Sequence, residues 1–196
     1  MKRIHLTTSL LFVMILSVYA QEVRYEIKSA IIKKETILMG QKVESIWYMD
    51  EYGKKESSEM TAKVGGIANI EKQIRTIVEA DSYINVDLEM KTAMRAQIPM
   101  ARINYLNLTP EIREEYKVKE LEVEDIAGKP SQKLSIEITQ MGQVVQGTVW
   151  VWKGIPLKNE LGANGMVLQI ENSLDIQENV PVPAEKFEVP EGITIQ

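Results

Sequence analysis

The side chains that could do chemistry in this 196-residue chain are carboxylates, lysines and tyrosines. Its one histidine, His5, lies within the first 20 residues, and there is no cysteine. Beyond residue 20 the sequence therefore lacks the atoms for Ser-His-Asp and Cys-His nucleophile pairs, for imidazole general bases, and for zinc or copper sites built on nitrogen and sulfur. The densest acidic spacing is Glu120, Glu122 and Glu124, which a strand would place on one face. Such a run could hold calcium or supply a hydrolytic carboxylate pair. No calcium loop of alternating acids ending in Gly and Glu accompanies it, and a solvated strand face explains it as well. No catalytic residue, metal or cofactor is expected, and the chain reads as a non-enzyme.

Recognition by apolar side chains remains, and Trp47, Trp150 and Trp152 are the most informative. An indole buries about 150–250 Å², worth roughly 4–6 kcal/mol at about 25 cal/mol per Å². On a strand, Gln146, Thr148, Trp150 and Trp152 point one way and Val145, Gly147, Val149 and Val151 the other. From Thr148 onward neither face is polar, so both need cover. Either the strand is buried on both sides, or one side lines an apolar cavity that takes a ligand. Eight of the ten methionines lie beyond residue 20, Met39, Met49, Met90, Met94 and Met141 among them. Thioethers repack readily and could form a deformable wall for acyl chains, or they simply fill a core in a sequence with two phenylalanines. The candidate ligand-binding residues are Trp47, Met90, Met94, Trp150 and Trp152.

The first 20 residues read as a secretory signal. Lys2 and Arg3 precede an apolar run from 10 to 16, and Val18-Tyr19-Ala20 is a small-residue exit before Gln21. No second apolar run is long enough for a membrane span, so a periplasmic or secreted product of residues 21–196, one β-rich domain, is expected. The leader holds two of the 23 basic residues and none of the 28 acidic ones, which leaves a mature chain more acidic than the whole-chain net of −5. An acidic balance without a basic stripe argues against nucleic acid.

The elements that would position these residues are strands. Val23, Tyr25, Ile27, Ser29 and Ile31 alternate with polar neighbours, then Val43, Ser45, Trp47 and Met49 do so beyond a turn at Gly40. A polar third strand runs from Lys54 to near Val64. Residues 73–79 fit strand better than helix because they are β-branched. Ile84, Val86, Leu88, Met90, Met94, Ala96 and Ile98 predict one long strand. Thr109 as N-cap, Pro110 at the first position and Glu111 predict one short helix. Strands resume through Leu121 and Val123, through Leu134, Ile136 and Ile138, into the Trp150–Trp152 strand with its Gly154-Ile155-Pro156 corner, and through Met166, Leu168, Ile170, Leu174 and Ile176. Nine or ten strands with turns every 8–12 residues argue for a mainly-β fold, an antiparallel, unclosed or strongly curved β-barrel with short helical cover.

Three stretches, Trp47-Tyr48-Met49-Asp50-Glu51-Tyr52-Gly53-Lys54-Lys55-Glu56, residues 150–158, and Phe187-Glu188-Val189-Pro190-Glu191-Gly192-Ile193, resemble a family of secreted envelope proteins of unknown function with the LolA/LolB-like fold of the outer-membrane lipoprotein carriers. The resemblance implies an unclosed barrel around helical cover, with an apolar interior that takes lipid chains in the carriers. The expected function is thus an exported, non-catalytic envelope binding module or carrier for an apolar or lipid-like ligand, with lipid or lipoprotein acyl chains as partners. The alternative is a structural or protein-interaction module with an envelope protein partner, using sheet edges such as residues 54–61.

Overall fold

The structure is a computed structural model that describes residues 23–38, 40–64, 70–97, 102–140, 143–163 and 165–196. The expected leader, Met39 and Met141 lie outside the described residues. Six strands come first: β1 (Ala30–Leu38), β2 (Gln41–Asp50), β3 (Lys55–Val64), β4 (Ile70–Val78), β5 (Ser82–Asp87) and β6 (Thr92–Gln97). A short helix, α1 (Pro110–Glu115), leads into β7 (Lys119–Ile126), β8 (Lys129–Gln140), β9 (Gln143–Trp152), β10 (Ile155–Ala163) and β11 (Met166–Glu178). All eleven pair antiparallel in one sheet, in the order β6-β5-β4-β3-β2-β1-β11-β10-β9-β8-β7. The two end strands, β6 and β7, do not pair, so the sheet is open. It is also curved: Met49 on β2 and Trp152 on β9 share one buried cluster although three strands lie between them.

The helix is capped as its sequence predicts, with Thr109 Oγ1 accepting from the Ile112 N–H. Two hairpins are closed by two-residue turns, Ala127-Gly128 (φ 52° and 75°) and Lys153-Gly154 (φ 51° and 81°). Positive φ at both positions matches the right-handed twist of the flanking strands. The expected Gly154-Ile155-Pro156 corner is therefore a hairpin, and the chain continues as β10. Pro156 is tolerated there because a register shift between Pro156 and Lys158 relaxes the demand for its missing N–H.

Four other expectations are corrected. Residues 84–97 form a hairpin, not one strand, because Asp87 Oδ1 accepts from the N–H groups of Glu89 (3.1 Å) and Met90 (2.9 Å) and reverses the chain, and Ile98 lies outside the described residues. The polar strand β3 is no edge, being paired with β2 and β4 on its two sides. Leu174 is the extra residue where β11 slips against β1, so Ser173 turns inward and Leu174 is 46% exposed. Finally, the ladder of β1 begins only at Ala30. Residues 23–29 run instead as a strap over two turns, with Arg24 and Tyr25 donating to Tyr52 O and Glu26 to Lys153 O. Tyr25 and Ile27 are buried there as expected.

The largest cluster joins that strap to the sheet through Tyr25, Ile27, Ala30, Ile32, Met49, Trp152, Ile155 and Leu157. A second (Ile77, Ile84, Val86, Ala93) is roofed by Val189 and Ile193 of the C-terminal tail, and a third (Leu134, Ile136, Val149, Val151) by Tyr105, Leu108 and Val118. Gly154 is the tightest joint. A Cβ there would press directly on Arg24 O and lie 2.7 Å from Leu106 Cγ, at a φ of +81°. Gly154→Ala is expected to cost about 2 kcal/mol, from overpacking and backbone strain together. Urea denaturation checks this, and a change within about 0.5 kcal/mol would mean that the strap is not seated on this turn.

Candidate ligand-binding cleft

Cross-strand register puts Trp47 on the face it shares with Ile32 of β1 and Ser58 of β3. Its ring is met edge-on by Tyr25, with centroids 5.7 Å apart, and the Lys34 ammonium lies 5.2 Å from its centroid. Lys34 is itself held by Glu171 at 2.8 Å. Trp47 is half-buried and lines a cavity of 220 Å³ together with Tyr25, Arg24, Arg102, Tyr105 and Pro156. The cover over this cavity comes from the strap and from the crossover, residues 102–109. The two are sewn together by Asn104 Nδ2 donating to Val23 O (3.1 Å) and an Arg24 guanidinium N–H donating to Ile103 O (3.1 Å).

Both segments reach one carboxylate. Glu56 on β3 is 4% exposed and accepts from Tyr25 Oη (3.2 Å). Arg102 binds its second oxygen at 2.6 Å, while Arg24 Nε stands 3.6 Å from the first. Burial, and then the Glu56 charge, raise the Tyr25 phenol well above its ordinary value, so it stays a donor at any working pH. Burial likewise pushes the Tyr105 phenol up to about 12. A second cavity, of 280 Å³, lies across the same three charged side chains and is also lined by Gly53, Lys54, Val78 and Glu79. Arg24, Tyr25, Glu56 and Arg102 were not singled out from sequence. The one signal was Glu56 itself, which ends the Trp47–Glu56 motif and sits opposite the wholly buried Met49.

Trp150 and Trp152 do share a face, and their environment explains how a strand with no polar side is covered. Val149 and Val151 on the opposite face lie under Tyr105, Leu108 and Val118. Over Trp150 sit the ammonium groups of Lys158 (4.1 Å) and Lys133 (5.2 Å); over Trp152 sit those of Lys153 (4.6 Å) and Lys129 (4.8 Å). Long lysine stems cover apolar rings while their charged ends stay wet. Carboxylates pin them: Glu122 and Glu124 hold Lys133, Glu160 holds Lys158, and Glu178 holds Lys129 and Lys153. Glu124 also accepts from the Trp150 indole N–H at 2.8 Å. Both indoles are under 9% exposed.

Trp47 and Trp152 thus meet around one cluster, whereas Trp150, in register with Lys158, Asn172 and Glu35, is not one of its members. Met94 lies on the same cross-strand row as Trp47, through Ser58, Thr76 and Asn85, but four strands away at the edge of the sheet. That separation is roughly 19 Å at the usual strand spacing. Met90 is in the β5–β6 turn, and both methionines are more than 60% exposed. The structure does not bring them to the tryptophans. No group of three or more acidic, His or Cys side chains among the described residues is placed to hold a metal ion. No helix among them is long and apolar enough to cross a membrane.

No protein-family model matches the sequence, and no curated protein matches it. Solved structures do match the fold. An uncharacterized conserved protein from Thermus thermophilus aligns with a TM-score of 0.55 at 8% identity, over 86% of this chain and 91% of that one. MucB aligns at 0.56 with 11% identity, and MucB in the Pseudomonas aeruginosa MucA/MucB complex at 0.53 with 10%. These cover 87% and 83% of this chain but only 60% and 56% of MucB, so the chain spans little more than half of that protein's length. An outer-membrane lipoprotein-sorting domain from Vibrio parahaemolyticus aligns at 0.40 with 15% identity, over 82% of this chain and 89% of that one. At such identities the likeness is one of fold alone, an open antiparallel sheet.

Proposed function

We propose that this chain is an exported, non-catalytic binding module of the cell envelope, and that it takes an apolar or lipid-like ligand in the cleft where Trp47 faces the strap and the crossover. One observation carries the proposal. Of the three tryptophans, Trp150 and Trp152 are under 9% exposed, whereas Trp47, although Lys34 lies over its ring, is left half-buried against a cavity with two tyrosines around it. An aromatic wall with a few convergent polar groups is the ordinary make-up of a small-molecule site. At 220 Å³ the cleft is below the roughly 300 Å³ of a typical ligand pocket, so a long chain would need the crossover to shift outward. That displacement would break the Asn104–Val23 and Arg24–Ile103 hydrogen bonds and lift Tyr105 and Leu108 from the third cluster.

Titration with decanoate while following tryptophan emission tests this. Wild type is expected to respond and Trp47→Phe to lose most of the response, with Trp150→Phe behaving like wild type. A flat wild-type spectrum together with lipid-free native mass spectra would remove the proposal. The second reading, docking of an envelope protein, would then stand on the exposed Val144 of β9 and Met166, Val167 and Leu168 of β11, the two strands that flank β10, and on the complex that MucB forms with MucA.

A further inference from the structure

The charged side chains in the cleft do not balance. Two guanidinium groups, Arg24 and Arg102, converge on the single carboxylate of Glu56, and Tyr25 adds a neutral donor. The side chains are 20%, 27% and 4% exposed, respectively, for Arg24, Arg102 and Glu56. One positive charge in excess is therefore held in a largely desolvated place, which is costly unless an anion joins it. Lys54, the other cation on the second cavity's wall, is exposed to solvent and adds to the positive side of the count. Lys34 is committed to Glu171, and Glu79, the remaining acid on the second cavity's wall, is committed to Arg95. Arg24 Nε is moreover buried with no hydrogen-bond acceptor, since Glu56 Oε1 at 3.6 Å is out of range. A buried donor without a protein partner is open to an acceptor from outside the chain. Space for it exists on either side, because the cavities of 220 and 280 Å³ both have Arg24, Glu56 and Arg102 in their walls. Either volume holds a carboxylate or phosphate group, given that a water molecule occupies about 30 Å³.

We infer that Arg24 and Arg102 form the binding site for an anionic group, a carboxylate or phosphate monoester at the end of an amphiphile, and that Glu56 competes for the same two arginines when the site is empty. This rests on the proposed Trp47 cleft for the apolar part of the ligand. The anion supplies the acceptor that Arg24 Nε lacks; a carboxylate brings the cluster to neutrality, and a phosphate monoester, at roughly −1.5 to −2 charges, overshoots it. Trp47, Tyr105 and Pro156 line the same cavity and receive the first part of the chain. Arginine suits the task because its planar fork binds both oxygens of such groups. The competition with Glu56 sets the sign of one unusual effect: removing this negative charge should tighten anion binding.

Decanoate and decanol, which share an alkyl chain, are compared by calorimetry on wild type, Arg24→Gln and Glu56→Gln, and the Arg24 Nε–Hε resonance is followed during titration with acetate and with inorganic phosphate. Wild type is expected to prefer decanoate by at least about tenfold, corresponding to one charge-assisted contact. Arg24→Gln should bring the two ligands to near parity, and Glu56→Gln should bind decanoate about tenfold more tightly with decanol unchanged. If decanol binds as well as decanoate to wild type, the anion site is overturned while the apolar cleft survives. If neither alkyl ligand binds but acetate or phosphate moves the Arg24 resonance, the anion site stands and the apolar cleft falls. If no probe moves that resonance, the inference is overturned. Should Glu56→Gln fail to fold, the wild-type comparison and the resonance still decide the matter.

Discussion

Replacing Trp152 with alanine is expected to lower stability by about 3–5 kcal/mol, a large share of the roughly 5–15 kcal/mol that holds a domain of this kind together. The indole is 8% exposed and packs into the cluster formed by Tyr25, Ile27, Ala30, Ile32, Met49, Ile155 and Leu157. Removing it opens a cavity at the point where the strap, the β9–β10 turn and the first strands meet. The wholly buried Ile155 and Leu157 cannot collapse into that space without carrying the turn with them. Lys129 and Lys153 would also lose the ring they lie on, leaving their stems over a hole. Urea denaturation monitored by circular dichroism reads the effect. If Trp152→Ala stays within about 1 kcal/mol of wild type while abolishing the decanoate response, Trp152 and not Trp47 faces the ligand.

That contrast separates what the residues disclosed from what only their packing could. Alternation and turn chemistry were sufficient for most of the sheet and for α1, because each depends on neighbours within a few residues. The requirement that the Trp150–Trp152 strand be covered on both faces was also legible, and the structure meets it. What supplies the cover was not. Glu122, Glu124, Lys133 and Lys158 each look like solvated strand residues, and only the register of β7 through β10 stacks them over an indole. The same holds for Glu56, which sits in a polar strand and becomes the most buried acid among the described residues only because residues 23–29 and 102–109 cross over it. The misreadings share a cause: local alternation does not reveal an Asx turn as at Asp87, a bulge as at Leu174, or a strap that alternates without pairing. Alternation alone sets Met90 and Met94 on one long strand, and because the chain reverses at Asp87 they lie in the turn and on the end strand of the sheet, both exposed.

The C-terminal tail is the second place where a single change is expected to act strongly. Arg75 on β4 is 8% exposed, binds Glu59 with Nε at 2.9 Å, and donates to the carbonyls of Glu185 (2.6 Å) and Glu188 (3.1 Å). Lys186 of the tail completes the group by binding Glu59 at 2.9 Å, with its ammonium 5.0 Å from the Tyr48 ring centroid. These contacts fasten Val189 and Ile193 over Ile77, Ile84 and Val86. Arg75→Met keeps most of the side-chain volume but leaves two carbonyls and one carboxylate oxygen short of a donor. The expected cost is about 3 kcal/mol, the low end for a broken buried pair, because Lys186 remains on Glu59. Limited trypsin digestion should show faster cleavage at Lys186 in the variant. Acid should loosen the tail by the same route. Burial pushes the Glu59 carboxyl upward, but hydrogen bonds from Lys186 and Arg75 outweigh it and hold the group below its ordinary value of 4.5. A folded-state pKa below the unfolded one adds stability that is fully present above the unfolded value and disappears as pH falls through the folded one. Wild type should therefore lose tail protection as pH drops below about 4.5, whereas Glu59→Gln should start less stable at neutral pH and lose less over that interval. Hydrogen exchange of residues 184–196 at pH 7 and pH 3.5 measures both, and equal pH dependence in the two proteins would show that Glu59 is not the fastening group.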